Sequence, residues 1–181
     1  EYEAFWHLGD EGRVAIVNEF IEPIRKHILC GIVCSIDAPA WRSVLKDRKK
    51  KPSPDEFCFI RLMKLAMEQM AAWGDAFPLT LVFDDSEHSM KFYSIYRNRK
   101  RADPVFRKGV SGIAFADDGH VPALQAADLL ACATSKESHR VPGTWMDESP
   151  FFNIMLSQDA AYGKLYRAEH WDRALIEKHL P

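Results

Sequence analysis

The spacing of apolar and polar positions changes several times along the chain, and each change predicts an element. Across residues 11–27 the apolar positions Val14, Val17, Ile21 and Ile24 keep near-helical spacing, with Asp10 placed as an N-cap and Pro23 interrupting the pattern. A helix kinked at Pro23 is expected there. Residues 28–36 are continuous, β-branched and short, as a buried strand is, and Asp37 with Ala38-Pro39 reads as the turn that ends it. A short helix over 41–45 and an exposed loop over 46–54 follow. Across 55–73 the positions Phe59, Leu62, Met63, Leu65, Ala66 and Met70 form one broad apolar face, predicting a helix ended by Gly74 and Pro78. Residues 79–83, Leu-Thr-Leu-Val-Phe, are the strongest strand pattern, and they run straight into Asp84-Asp85-Ser86. Ser86 or Asp85 is placed to cap a helix that carries Met90, Tyr93, Ile95 and Tyr96, ends on Arg97, Arg99, Lys100 and Arg101, and breaks at Asp103-Pro104.

The most informative stretch is 111–133. It opens as a strand at Gly112-Ile113-Ala114-Phe115-Ala116, meets the polar cluster Asp117-Asp118-Gly119, and restarts as a helix with Pro122 near its first turn. From 124 to 133 every residue is apolar except Gln125 and Asp128, so the apolar surface goes all the way round, which predicts a buried helix with one carboxylate inside it. Such a group must be hydrogen-bonded, paired, protonated or bound to a cation. Beyond it, 136–142 reads as a surface turn, 151–156 as a helical turn, 163–167 as a late strand or loop, and 171–179 as a C-terminal helix. The expected fold is α/β: a single domain over 1–181, with a mixed sheet built from 28–36, 79–84 and 111–117 and helices on its faces.

Composition narrows the class. With 181 residues, 47% hydrophobic and 28% charged, the chain is long enough to bury one sizeable core. The net charge of −2 and pI near 6.4 leave any nucleic-acid binding to local patches. Cys30, Cys34, Cys58 and Cys132 sit in apolar runs without Cys-x-x-Cys spacing, and read as reduced core residues of a cytoplasmic protein. No apolar run reaches the length of a membrane span and no signal peptide is visible.

Two strands ending in acidic pairs, Asp84-Asp85 and Asp117-Asp118, and a helix carrying Asp128 offer three carboxylate sources for one end of a sheet. Clustered carboxylates repel unless a cation neutralises them, and hard divalent cations such as Mg²⁺ or Mn²⁺ take oxygen ligands. The bland alternative is that Asp at strand ends does turn and cap chemistry.

The pairing of LVFDDSEH at 81–88 with a later strand, an acidic turn and LQAADLLA at 124–131 resembles the domain of unknown function 3800 family. The segment HILCGIVCSIDAPAW at 27–41 is similar to that family's middle segment, so the resemblance covers most of the chain. It implies a ribonuclease H-like fold with a carboxylate cluster. On it, Asp84 matches the mid-chain strand carboxylate, Asp128 the helical one and Gln125 the motif glutamine, while Asp117 stands near where the family has an Asp-Ser. The family's opening strand, Asp-Glu-Ser-Gly, has no counterpart here, as though the sequence began after that hairpin.

The function this implies is a divalent-metal-dependent nuclease or phosphodiesterase. Asp84, Asp117 and Asp128 would serve as catalytic and Mg²⁺- or Mn²⁺-binding residues, with Gln125, Asp118 and His120 as supporting groups. The alternative is a non-catalytic binding or assembly module of the same shape. Two basic clusters, Lys46, Arg48, Lys49, Lys50 and Lys51, then Arg97, Arg99, Lys100 and Arg101, are candidates for nucleic-acid contacts or simply solvated charge. His88, His120 and His139 are candidate ligands or bases, His120 standing best beside Asp118.

Overall fold

The computed structural model describes residues 10–27, 30–49, 51–74, 78–138 and 165–180. Contacts divide the chain into two compact units, one formed by 1–31 with 128–167, the other by 32–127 with 168–181. The described part of the first holds α1 (Asp10–His27), which has Pro23 inside it, and the distal part of α6 (Pro122–Ser138). Asp10 begins α1 as its first residue.

The second unit holds the mixed α/β architecture. In chain order it runs β1 (Cys30–Ile36, its first two residues falling in the first unit), α2 (Ala38–Val44), α3 (Pro54–Ala72), β2 (Leu79–Asp84), α4 (Ser89–Ala102), α5 (Pro104–Gly109), β3 (Val110–Ala116), a 3-10 turn (Asp118–His120) and the start of α6, then β4 (Leu165–Trp171, its first three residues falling in the first unit) and α7 (Arg173–His179). β2 and β3 pair in parallel, from Leu79 opposite Val110 to Asp84 opposite Ala116, with one irregularity after Leu79. Parallel strands need a crossover, and α4 with α5 supplies it.

β1 pairs with β4 in a separate two-stranded sheet. This corrects the expected sheet: among the described residues, 28–36 does not join 79–84 and 111–117. The partner is a strand from the weakly patterned C-terminal region. The Asp37 amide donates to the Trp171 carbonyl at 3.0 Å, extending the pairing past the end of β1.

Helix α3 serves both sheets. Its start is set by a capping box, in which Ser53 Oγ accepts from the Glu56 amide and a Glu56 carboxylate oxygen accepts from the Ser53 amide. Its end is Gly74, whose φ of +78° lies where an L side chain is strained. Phe57 packs tilted against Trp41 and edge-on against Trp171 in a core with Ala40, Leu45 and Ile176. Phe59 turns to the other side and packs on Phe83 and Phe92 in a core with Met63, Tyr96, Phe106 and Val110. Arg61 holds α3 to β4 through a two-pronged contact with Glu169, Nε to Oε2 at 2.7 Å and Nη2 to Oε1 at 2.5 Å.

A turn and a break expected from the sequence each open a helix, and the described start of a second expected turn is helical. Ala38-Pro39 opens α2, because Asp37 accepts from the Ala40 amide at 2.9 Å and proline suits a first helical turn. Asp103-Pro104 opens α5 in the same way, the Asp103 carboxylate accepting from the Val105 and Phe106 amides. α6 extends through Ser138, into the segment expected as a surface turn. The expected helical turn at 151–156 lies outside the described residues, as does His139.

Candidate functional site

The parallel register of β2 and β3 decides where the acidic strand ends go. Two strands running the same way and paired from Leu79/Val110 to Asp84/Ala116 finish together, and the Asp85 amide adds one more ladder bond to the Ala116 carbonyl at 3.0 Å. Asp84, Asp85 and Asp117 therefore follow one another at the same carboxyl end of the pair. In open α/β sheets that end is where sites form.

The carboxylates have different occupations. On β2 burial alternates, with Leu81 and Phe83 half-buried over the helices and Thr80, Val82 and Asp84 exposed. Asp84 is thus on the open face, and its carboxylate has no hydrogen bond or ion pair among the described residues. Asp85 is used in structure: its Oδ1 accepts from Ser89 Oγ at 2.9 Å, and Ser89 Oγ accepts in turn from the Ser86 amide. That network, not a direct cap from Asp85 or Ser86, starts α4, and Ser89 is buried within it. Asp117 shapes the next turn, its Oδ1 accepting from the Gly119 amide at 2.8 Å, while the His120 amide donates to the Asp117 carbonyl. A Cβ at position 119 would come within 3.0 Å of that carboxylate oxygen, so glycine permits the close approach. Asp118 begins the 3-10 turn, and His120 ends it exposed.

Helix α6 departs from its expected environment. Leu124 is buried, but Gln125, Ala127, Asp128, Ala131 and Cys132 are exposed, so Asp128 is a surface carboxylate and not one enclosed by apolar neighbours. The reason lies in the side chains. Half of the apolar residues from 124 to 133 are alanines, whose small area provides little drive to cover the helix on all sides. Asp128 belongs to the first unit and Asp84 and Asp117 to the second. Among the described residues, no three His, Cys, Asp or Glu side chains gather in a group able to hold a metal ion.

The two basic clusters make different contacts. Lys46, Arg48, Lys49 and Lys51 are exposed, and Lys50 lies outside the described residues. Arg48 Nη2 donates to the Leu180 carbonyl at 2.9 Å, which ties the loop after α2 to the chain's C-terminal part. The second cluster lines an open cleft of about 490 Å³ formed by Arg97, Lys100, Arg101 and Arg107. Arg107 stands outside the contiguous basic run at 97–101. The signal for it is local: α5 begins at Asp103, so a residue one turn into it comes back onto the end of α4, where Arg107 donates to the Lys100 and Arg101 carbonyls.

Other side chains meet across long sequence separations that spacing cannot show. Ser35 Oγ lies 2.9 Å from His170 Nδ1 between β1 and β4. Cys34 on β1 and Cys58 on α3 interact, and that interaction together with burial raises the Cys34 thiol, whereas the same interaction lowers Cys58 against the upward effect of its own burial. All four cysteines are free. Three are half-buried, and Cys132 is exposed, not in the core. No helix among the described residues is long and apolar enough to cross a membrane.

Comparison of the chain with models of protein families, with curated proteins and with solved structures brought no match.

Proposed function

We propose that the chain is a divalent-metal-dependent nuclease or phosphodiesterase of ribonuclease H-like type, related to the domain of unknown function 3800 family. The observation that carries this reading is the register of β2 and β3, which brings the ends bearing Asp84 and Asp117 to one edge of a parallel pair. Carboxylate oxygens are the donors that Mg²⁺ and Mn²⁺ prefer, and a bound ion would supply an activated water and charge stabilisation for a phosphodiester. Asp84, exposed and unpaired among the described residues, is the principal ligand in this reading. Asp117 offers the carboxylate oxygen not used by Gly119, and Asp118 and His120 share its turn. Asp128 and Gln125 enter through the motif at 124–128 alone.

A second reading, a non-catalytic binding or assembly module, is favoured by the occupation of Asp85 and Asp117 in turn chemistry. Metal titration separates the two. Melting curves of wild type and Asp84→Asn in EDTA and in Mn²⁺, with a phosphodiester cleavage assay alongside, should show stabilisation of about 2.7 kcal/mol at a hundredfold excess over Kd for wild type only. Cleavage should need the metal and be lost in Asp84→Asn. A wild type that Mn²⁺ neither stabilises nor activates leaves the module reading standing and removes the enzyme.

A further inference from the structure

From α4 through α5 the chain carries seven Lys and Arg side chains against one carboxylate, Asp103, although its net charge is −2. That carboxylate is turned onto the Val105 and Phe106 amides as the cap of α5. Cations at a helix C-terminus answer its dipole, and part of the cluster is used so. Arg107 donates to the Lys100 and Arg101 carbonyls, and Lys100 Nζ reaches the Ser111 carbonyl and Tyr96 Oη.

Arg97 and Arg101 are not used in that way. Neither guanidinium has a hydrogen bond or ion pair among the described residues, and Arg97 lies over the Tyr93 ring, 5.8 Å from its centroid. Both line the 490 Å³ cleft and also an adjoining one of about 330 Å³, shared with Met90, Tyr93, Ser94 and Asn98. Positions 90, 93, 94, 97 and 101 recur at helical spacing, so they form one outward stripe about 16 Å long. Its apolar members are open to solvent, Met90 at 77% and Tyr93 at 39% exposure. The opposite face of α4 is spent on the core through Phe92, Ile95 and Tyr96.

We infer that this stripe is a track for single-stranded nucleic acid, in which Arg97 and Arg101 meet phosphates and Tyr93 stacks on a base. A duplex keeps its base faces stacked inside and offers phosphates and base edges, so the exposed ring would have no face to stack on. An unpaired base has a π-face for Tyr93, and aromatic side chains set along a basic groove are how sequence-tolerant single-strand binding is built. A lipid surface would need the apolar face of α4, which is already in the core. The track starts beside the acidic strand end, since Ser89, next to Met90, is hydrogen-bonded to Asp85. The inference rests on the nuclease reading for what happens to the strand, though not for its binding.

The test is fluorescence anisotropy with a labelled oligothymidine, in EDTA so that no metal-dependent cleavage intervenes, across a salt series. Wild type should prefer the single strand to a duplex of equal length. Arg97→Ala/Arg101→Ala should raise Kd about tenfold at low salt and flatten the slope of log K against log salt by about 1.4, or 0.7 for each phosphate left without its arginine. Tyr93→Ala should weaken binding about fivefold or more while Tyr93→Phe keeps it. Thermal melts of the variants confirm that each is folded. Equal affinity for duplex, an unchanged slope in the double arginine variant, or Tyr93→Ala binding as tightly as Tyr93→Phe overturns the inference. Binding that behaves as stated without any Mn²⁺-dependent cleavage removes the nuclease reading alone; cleavage without such binding removes the track alone.

Discussion

Replacing Glu169 by Gln asks how much of the fold hangs on one contact between α3 and β4. The pair joins residues 108 positions apart, and the same carboxylate oxygen that accepts from Arg61 Nε also accepts from Trp171 Nε1 at 3.1 Å. Arg61 Nη1 additionally reaches Glu68 at 3.3 Å. The two side chains are 22% and 24% exposed, so the pair is neither a surface ion pair nor a sealed one. An exposed pair would contribute about 0.2–1 kcal/mol, and breaking a fully buried one would cost about 3–5 kcal/mol. Two parallel charge-assisted bonds at this intermediate exposure put the loss for Glu169→Gln at about 2 kcal/mol, since the amide keeps one acceptor and turns a donor toward the guanidinium. For a chain of this size that is a fall in Tm of roughly 4–8 °C.

Glu169 holds the Arg61 guanidinium above its ordinary pKa. A cation whose folded pKa is raised contributes stability fully present below the unfolded value and lost only as pH rises through the folded one. The arginine side of the pair is therefore constant at every pH below the ordinary guanidinium range. Urea melts of wild type, Glu169→Gln, Arg61→Gln and the double variant give the coupling energy directly, expected at about 1–2 kcal/mol. A coupling under about 0.3 kcal/mol would refute the reasoning, because β4 would then be held by contacts other than the Arg61–Glu169 pair, such as its backbone pairing and Trp171 packing.

Two further outcomes are expected. Asp128→Asn in EDTA should change unfolding free energy by less than about 0.5 kcal/mol, as for other exposed positions; a loss above about 2 kcal/mol in urea melts would show a buried, partnered carboxylate instead. Among the half-buried thiols, Cys58 should alkylate with iodoacetamide faster than Cys34 near neutral pH, because the interaction between them lowers the Cys58 pKa and raises that of Cys34, and Cys34→Ala should slow it. Peptide mapping by mass spectrometry reads both sites, and faster labelling of Cys34 contradicts the opposite shifts of the two thiols.

The elements with strong local period were legible along the chain. The apolar face across 55–73 became α3, the run at 79–83 became β2 ending at Asp84, and the strand at 112–116 became β3, within a residue or two at each end. Acidic groups at two strand ends were also visible, as were the basic positions 97–101, because each is a property of contiguous residues. Capping was only partly legible. Asp37 stands two residues before a proline and Asp103 directly before one, a pattern that serves turns and helix starts alike, and packing of Ala40, Trp41 and Phe106 into the cores goes with the helical choice.

Tertiary structure alone decided which strand pairs with which. β1 has the composition of a strand from any sheet, and its partner β4 comes from a stretch, Leu-Tyr-Arg-Ala-Glu-His-Trp, with charges at alternate positions that look like solvent. Two of its polar residues, Glu169 and His170, are answered by Arg61 and Ser35, which lie 108 and 135 positions away. The burial of α6 was decided at the same level. An alanine-rich helix is apolar by residue type but offers little area to bury, so whether Asp128 is enclosed depends on what packs there and not on its neighbours in sequence. Side-chain period reports only the residues within a turn or two, whereas pairing and enclosure depend on residues a hundred positions away.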